Sequence, residues 1–487
     1  MLENILAILP ELVLCLVAFY LIIRSASGNA RRGTLYYEAL FGILIAILIS
    51  LYSASTYYQS SLFYSVLKFD EMAVYFRLLY FGLAFVVIVM AQRSFEIADY
   101  LFGEFLVLII ALTAGMSFIS ASTDLLMIYL SLEWVALCSY LLTGLVTGKK
   151  RATEASIKYA VFGGISSAVM LFGISMLFGA SGTLKISDIF LLYNESMQPF
   201  VLLAVILFLV GISAKIAAIP LHFWAPDAYQ VAPVPVTALF SVGPKAAVLA
   251  LLVRVFYFNF FADTDTLPGV SEGIKPSLQF IFGLLAAITM TAGNLLALKQ
   301  ENIKRMMAYS SISHAGYLLI GIVVFNGRGT EALLFYLFVY LLMNLGAFYV
   351  INAIVYKWKT EQIDDFNGLA WRGKNHAFLA VMMSIFLFSM AGLPPFAGFI
   401  GKWYIFAAAV EKELYWLVIV GLINVVVSLY YYARVLKAMF LVQDVKPREA
   451  LEISMGDKLW LGFLGVTNIY FGLFFSQFFD YIHTLIP

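Results

Sequence analysis

The chain has 487 residues, 63% of them hydrophobic and only 12% charged, with a mean hydropathy of +0.93. A soluble domain carries about 25% charge, so the solvent for this chain is a lipid bilayer. Its formal net charge of +1 leaves no basic face for nucleic acid, and that class of partner is excluded.

Apolar stretches of about 20 residues, each long enough to cross roughly 30 Å of hydrocarbon, recur from end to end. They predict spans at 4–23, 35–56, 73–92, 104–121, 124–147, 156–180, 198–222, 235–257, 276–298, 303–324, 332–356, 377–409, 414–440 and 459–480. The expected fold is therefore an all-α polytopic membrane protein of about 14 helices packed as a bundle. The first span reads as an uncleaved helix, because its first basic residue, Arg24, follows the apolar run instead of preceding it. Loops after odd-numbered spans hold roughly 20 Lys and Arg, against about 5 after even-numbered ones, which predicts cytoplasmic odd loops and both termini outside. Among the odd-loop residues are Arg24, Arg31 and Arg32, then Lys149, Lys150 and Arg151, then Lys299, Lys304 and Arg305, then Lys357, Lys359, Arg372 and Lys374.

Two spans interrupt themselves. The seventh contains "KIAAIPLHFWAPDAY", with Pro220 and Pro226, and the twelfth contains "AGLPPFAGF", with Gly392, Pro394 and Pro395. Each proline removes a helical donor and frees carbonyls, which at membrane depth must find protein or cavity water. Breaks in corresponding positions predict two five-helix repeats, 104–257 and 276–440, and an odd helix count inverts the second copy. The remainder is an N-terminal three-helix segment, 1–103, and a C-terminal helix within 441–487.

A charge at a helix centre costs about 2.5–3.5 kcal/mol on insertion scales, so each one needs a partner or a function. Arg77 and Arg254 lie near helix ends and are expected to snorkel to the interface. Lys215, Lys245 and Lys402 lie deeper or beside a break, where an ion pathway is one reading and a buried pair that only fixes packing is the other. Glu133, in "LSLEWVAL", is taken as the only acidic residue well inside the first half, and a lone carboxylate there needs a cation such as Lys215 to stay charged. A lysine that loses its partner where water is scarce releases its proton, whereas an arginine does not. His222 and Asp227 near the first break are groups able to relay protons, and an equal reading of His222 is that it only satisfies carbonyls freed by Pro226. His314, in "SSISHAGY", is either a relay or an interhelical hydrogen bond. His376 and His483 receive no role, and the aromatic content, 16%, reads as packing and interface anchoring. Cys15 and Cys138, the two cysteines, lack a second ligand at metal spacing, and no glycine fingerprint follows a strand, so redox cofactors are expected elsewhere.

These stretches, with "SLEWVALCSYLL", "EASIKYAVFGGISSAVMLFG", "KIAAIPLHFWAPDAYQVAPVPVTALFSVGPKAAV", "GNLLALKQENIKRMMAYSSISHAGY" and "AGLPPFAGFIGKWYIF", make the chain resemble the subunit N family of bacterial respiratory NADH:quinone oxidoreductase, complex I. Lysine at 402 and lysine after "GP" at 245 are similar to the subunit N pattern, whereas subunit M-like chains carry glutamate at the twelfth-helix position. The resemblance implies a proton-translocating subunit of that enzyme. Glu133 and Lys215 would be its coupling pair, Lys245 and His314 part of a central polar axis, and Lys402 the terminal proton-handling residue, with His222 as a relay. It also implies that this chain binds no cofactor, with NADH, FMN, iron–sulfur clusters and quinone held by other subunits. The implied partners are lipids, subunit M and small membrane subunits such as K and J, in a bacterial inner membrane. The competing readings are a subunit of a multi-subunit cation/proton antiporter driven by an ion gradient, or of a membrane-bound hydrogenase.

Overall fold

Hydrocarbon offers no hydrogen bonds, so a spanning backbone must satisfy itself, and the apolar runs do so as helices. The computed structural model describes residues 2–27, 31–56, 60–146, 150–191, 198–261, 268–442 and 448–486; Lys149 lies outside the described residues. The described chain is helical apart from irregular connections and one antiparallel hairpin, β1 (Ser60–Leu62) with β2 (Leu67–Phe69).

Backbone contacts divide the chain into two units, the first comprising Met1–Gln92, Glu96–Ile281 and Phe325–Gly327. It holds α1 (Leu2–Ala7), α2 (Leu9–Ala26), α3 (Arg32–Thr56), α4 (Glu71–Ala91), α5 (Phe102–Ala121), α6 (Leu125–Thr143), α7 (Lys150–Ser181), α8 (Ile186–Leu191), α9 (Gln198–Lys215), α10 (Trp224–Val231) and α11 (Val234–Leu252). A π-helical stretch, Val253–Phe261, continues α11, and α12 (Pro268–Ala297) runs on into the second unit. That unit contains α13 (Ile303–Val323), α14 (Gly327–Trp358), α15 (Lys374–Ala391), α16 (Ala397–Glu411), α17 (Tyr415–Leu441), α18 (Met455–Leu473) and α19 (Ser476–Thr484).

Among the described residues, twelve helices are long and apolar enough to cross a membrane, or thirteen counting the bent pair α18–α19 as one span. The difference from about 14 lies at the seventh position. There the expected span 198–222 ends at Lys215, leaving only the short apolar helix Pro199–Lys215. The expected twelfth span, 377–409, is two helices, α15 and α16, separated at 392–396. Exposed Phe19, Phe41, Leu48 and Tyr52 on α2 and α3 are the lipid-facing side of an inverted surface, apolar outside as well as in.

The structure corrects two expectations about charge. Arg77 and Arg254 do not snorkel: both are buried, the first against Glu11 and the second against Asp70. Glu11, on α2, is therefore a second deep carboxylate in the first half, with its oxygens taken by Arg77 and by the Ser117 hydroxyl. Arg254 is bidentate on Asp70 at 2.8 and 2.9 Å and also donates to the Ser120 carbonyl at 2.7 Å. Asp70 caps α4 through Ala73 N–H, so one carboxylate ties a helix start to the π-helical stretch that continues α11. A planar guanidinium matches a carboxylate in this way and keeps its proton, which suits a fixed joint.

Removing one partner of such a pair strands a buried charge, at a cost of about 3–5 kcal/mol. Arg254→Met is expected to lower stability by that amount in denaturant unfolding of the purified protein, and the double variant Asp70→Asn/Arg254→Met to recover part of it. Equal destabilisation by the single and double variants would show that the pair carries no coupling.

Candidate proton-handling site

In the first unit the seventh-span break places a lysine at a helix end. After Lys215 the chain turns through Ala217, with φ of +56°, and reaches cis-Pro220 before α10 begins. Ala218 N–H bonds the Ser213 carbonyl at 2.8 Å, and the Trp224 indole reaches back to the Ala214 carbonyl at 3.0 Å. The last carbonyls of α9 are thus satisfied by the segment that follows the break. Pro226 sits in the first turn of α10, where its missing N–H costs nothing, and the His222 carbonyl is bonded by Ala225 N–H.

Lys215 Nζ lies 2.9 Å from Glu133 Oε1 on α6 and 3.0 Å from Ser167 Oγ on α7. The Ser167 hydroxyl donates to the same Glu133 oxygen. At 2.9 Å, opposite charges attract by about 6 kcal/mol at an effective dielectric of about 20. The Lys215 side chain is 9% exposed and that of Glu133 24%, so the carboxylate is the more accessible half of the pair.

His222 is buried, with Nδ1 3.3 Å from the Pro220 carbonyl. Asp227 pairs instead with Lys158 at 3.3 Å, and Lys158 also meets Glu154 at 2.7 Å. Lys245 is buried on α11 next to Pro244, with Nζ 5.8 Å from the Tyr229 ring centre. Pro244 frees the Phe240 carbonyl four residues earlier, and the Tyr229 hydroxyl donates to it at 2.8 Å. One tyrosine thus repairs the helix and walls the lysine.

In the second unit Gly392 ends α15 with φ of +84°, and the loop continues through cis-Pro395 to α16. Two carbonyls left at this end, Met390 and Ala391, accept from Lys402 Nζ at 2.8 and 3.2 Å. The ammonium also lies 4.8 Å from the centre of the Tyr317 ring. A side chain at 392 would be strained by the backbone and would press on the lysine methylenes.

His314, buried on α13, has both ring nitrogens engaged: Nδ1 with the Tyr336 hydroxyl at 2.7 Å and Nε2 with the Tyr432 hydroxyl at 3.1 Å. Tyr432 also bonds Ser310. Asn294 joins Tyr317, Tyr431 and Asn424 at 2.9–3.3 Å. The aromatic content is therefore more than packing, since buried tyrosines from α14 and α17 supply hydroxyls to His314. Their signal in the sequence is tyrosine inside apolar helices, as in "SLYYYARV". Lys304, expected among the loop cations, is instead fully buried on α13, 2.8 Å from Glu361.

Residues 122–428 match the family described as NADH:quinone oxidoreductase/Mrp antiporter, TM. NADH-quinone oxidoreductase subunit N of Anaeromyxobacter sp. (strain Fw109-5) is 37% identical, over 96% of this chain and 93% of that protein. The chain belongs to the subunit N family. The subunit N protein of Chlorobium chlorochromatii (strain CaD3) is also 37% identical, over 97% of this chain and 93% of that one. A chain of respiratory complex I from Thermus thermophilus with bound Aureothin has a TM-score of 0.79 and 26% identity, covering 97% of this chain and 98% of that chain. In this subunit N family member the charges that sequence singled out are thus held in three separate settings: a carboxylate pair, a tyrosine-walled ammonium and a carbonyl-bound ammonium.

Tyr336→Phe and Tyr432→Phe remove the partners of His314 Nδ1 and Nε2 respectively. Each should cost about 1–3 kcal/mol of stability, and each should shift the nitrogen-15 resonance of a different ring nitrogen of His314. Identical spectra for both variants and the unaltered protein would contradict this geometry.

Proposed function

We propose that this chain translocates protons as a membrane subunit of a redox-driven NADH:quinone oxidoreductase, with Glu133, Lys215, Lys245, His314 and Lys402 as the groups that take up and release them. Quinone reduction in other subunits would disturb the Glu133–Lys215 pair. The observation that carries the reading is that Lys215 is bound by one withdrawable carboxylate and one hydroxyl, at the end of a broken helix. An ammonium so held gives up its proton when the carboxylate moves away, because the rest of its surroundings do not solvate the charge. Lys245 and His314 would carry the proton on to Lys402, with net movement from the cytoplasm outwards. His222, bonded to a backbone carbonyl beside the break, has the weaker claim to a relay role.

The five-helix repeats, 104–257 and 276–440, belong to the same proposal. Two pairs of local features support them. Asp124 caps α6 and pairs through an isolated antiparallel bridge with Lys185 after α7; Asn302 caps α13 and pairs likewise with Gln362 after α14. Each half then has a helix broken at a proline-bearing segment with a lysine near the break.

NADH, FMN, iron–sulfur clusters and quinone belong, on this reading, to other subunits, and this chain carries no redox centre. Its neighbours are the antiporter-like subunit M and small membrane subunits such as K and J. The basic-residue asymmetry supports a bacterial inner-membrane orientation with both termini on the outer side.

In the reconstituted complex, Lys215→Ala is expected to abolish most quinone-coupled acidification while assembly stays intact. Lys215→Arg keeps the charge and the bond to Glu133 but not the release step, and is expected to pump no better. Near-normal acidification by a correctly assembled Lys215→Ala complex, read with a pH-sensitive dye, would reject the role.

A further inference from the structure

The second unit carries a groove that the proton-handling residues do not use. It lies between α15 and α17, has a volume of 710 Å³, and is lined by Ser384 and Phe388 from one helix and Tyr430, Arg434, Lys437 and Phe440 from the other. Its walls are mostly apolar, and its cations are gathered towards the end of α17.

That end lies at headgroup level. Trp371, 78% exposed, donates its indole N–H to the Phe440 carbonyl at 2.7 Å, and an exposed tryptophan at the end of a spanning helix sits in the interfacial belt. Lys437 and Arg434 lie about 5 and 9 Å back along the helix, within reach of the headgroups for long side chains that snorkel. Lys437 is exposed, and the Arg434 guanidinium donates to the carbonyls of Leu298, at 3.0 Å, and Gln300. Among the described residues, neither cation is paired with a carboxylate.

An apolar groove closed at the interface by two positive charges fits one class of membrane molecule. Basic sites between spanning helices take anionic lipid headgroups, and the volume lies within the range of about 300–1,000 Å³ usual for ligand pockets. We propose that the α15–α17 groove binds an anionic phospholipid of the surrounding bilayer, with an acyl chain along Phe388 and Tyr430 and the phosphate at Arg434 and Lys437. The site is independent of the proton-handling residues.

The test uses the intact complex reconstituted with phosphatidylglycerol or phosphatidylcholine bearing the same diazirine-labelled acyl chain, with adducts mapped by peptide mass spectrometry. Phosphatidylglycerol is expected to label the α15 and α17 peptides more strongly than phosphatidylcholine, and Lys437→Gln to weaken that labelling about fivefold. Arg434→Gln should weaken it further; should that variant fail to assemble, Lys437→Gln carries the test alone, because its side chain is exposed. Equal labelling by the two lipids, or no effect of Lys437→Gln, would mean ordinary annular contact and overturn the proposal. Absence of adducts on these helices, with another subunit cross-linking there instead, would overturn it as well.

Discussion

An ionised side chain in hydrocarbon must be compensated by its own protein, at a cost of several kcal/mol if it is not. This constraint shows in how the buried cations described above are held. Arg77 and Arg254 are held by carboxylates, the latter through both guanidinium arms, and they fasten α4 to α2 and to the π-helical stretch that continues α11. Lys215 meets one carboxylate and a hydroxyl, Lys245 lies against a tyrosine face, and Lys402 binds two helix-end carbonyls. Arginine stays charged under any of these conditions, whereas lysine exchanges its proton when its surroundings change. A buried lysine held by a carboxylate also occurs outside these three positions, at Lys304 against Glu361.

The helix breaks explain where the lysines can be. An unbroken helix consumes its carbonyls, so an ammonium inside a bundle finds only side chains to bind. Past Gly392 the carbonyls of Met390 and Ala391 are free, and Lys402 takes them. At Pro244 the opposite occurs, because Tyr229 takes the freed Phe240 carbonyl and leaves the neighbouring Lys245 against its ring. The first break leaves Lys215 at a helix end whose carbonyls are already used by Ala218 and Trp224, so its ammonium turns to Glu133 and Ser167.

Much of this was legible in the sequence. The apolar runs, the two proline-bearing interruptions and the isolated Glu133 follow from composition and hydropathy, which the bilayer enforces directly. The partnership of Glu133 with Lys215 followed from electrostatics alone, since a deep carboxylate requires a cation. The same logic applies to Arg77, whose partner Glu11 is the eighth residue of the apolar first span and lies 66 positions away in sequence. Lys304 is expected in a loop for a related reason: it stands at the edge of an apolar run, and its partner Glu361 lies 57 positions away in sequence. The tyrosines around His314 were invisible as a site because hydropathy does not separate a packing ring from a bonded hydroxyl.

The account depends on lysines that exchange protons with water, and the most direct measurement is an experimental map of the complex at a resolution that locates ordered waters. It predicts hydrated chains that reach the ammonium groups of Lys215, Lys245 and Lys402. Amines enclosed in dry, sealed pockets would contradict it.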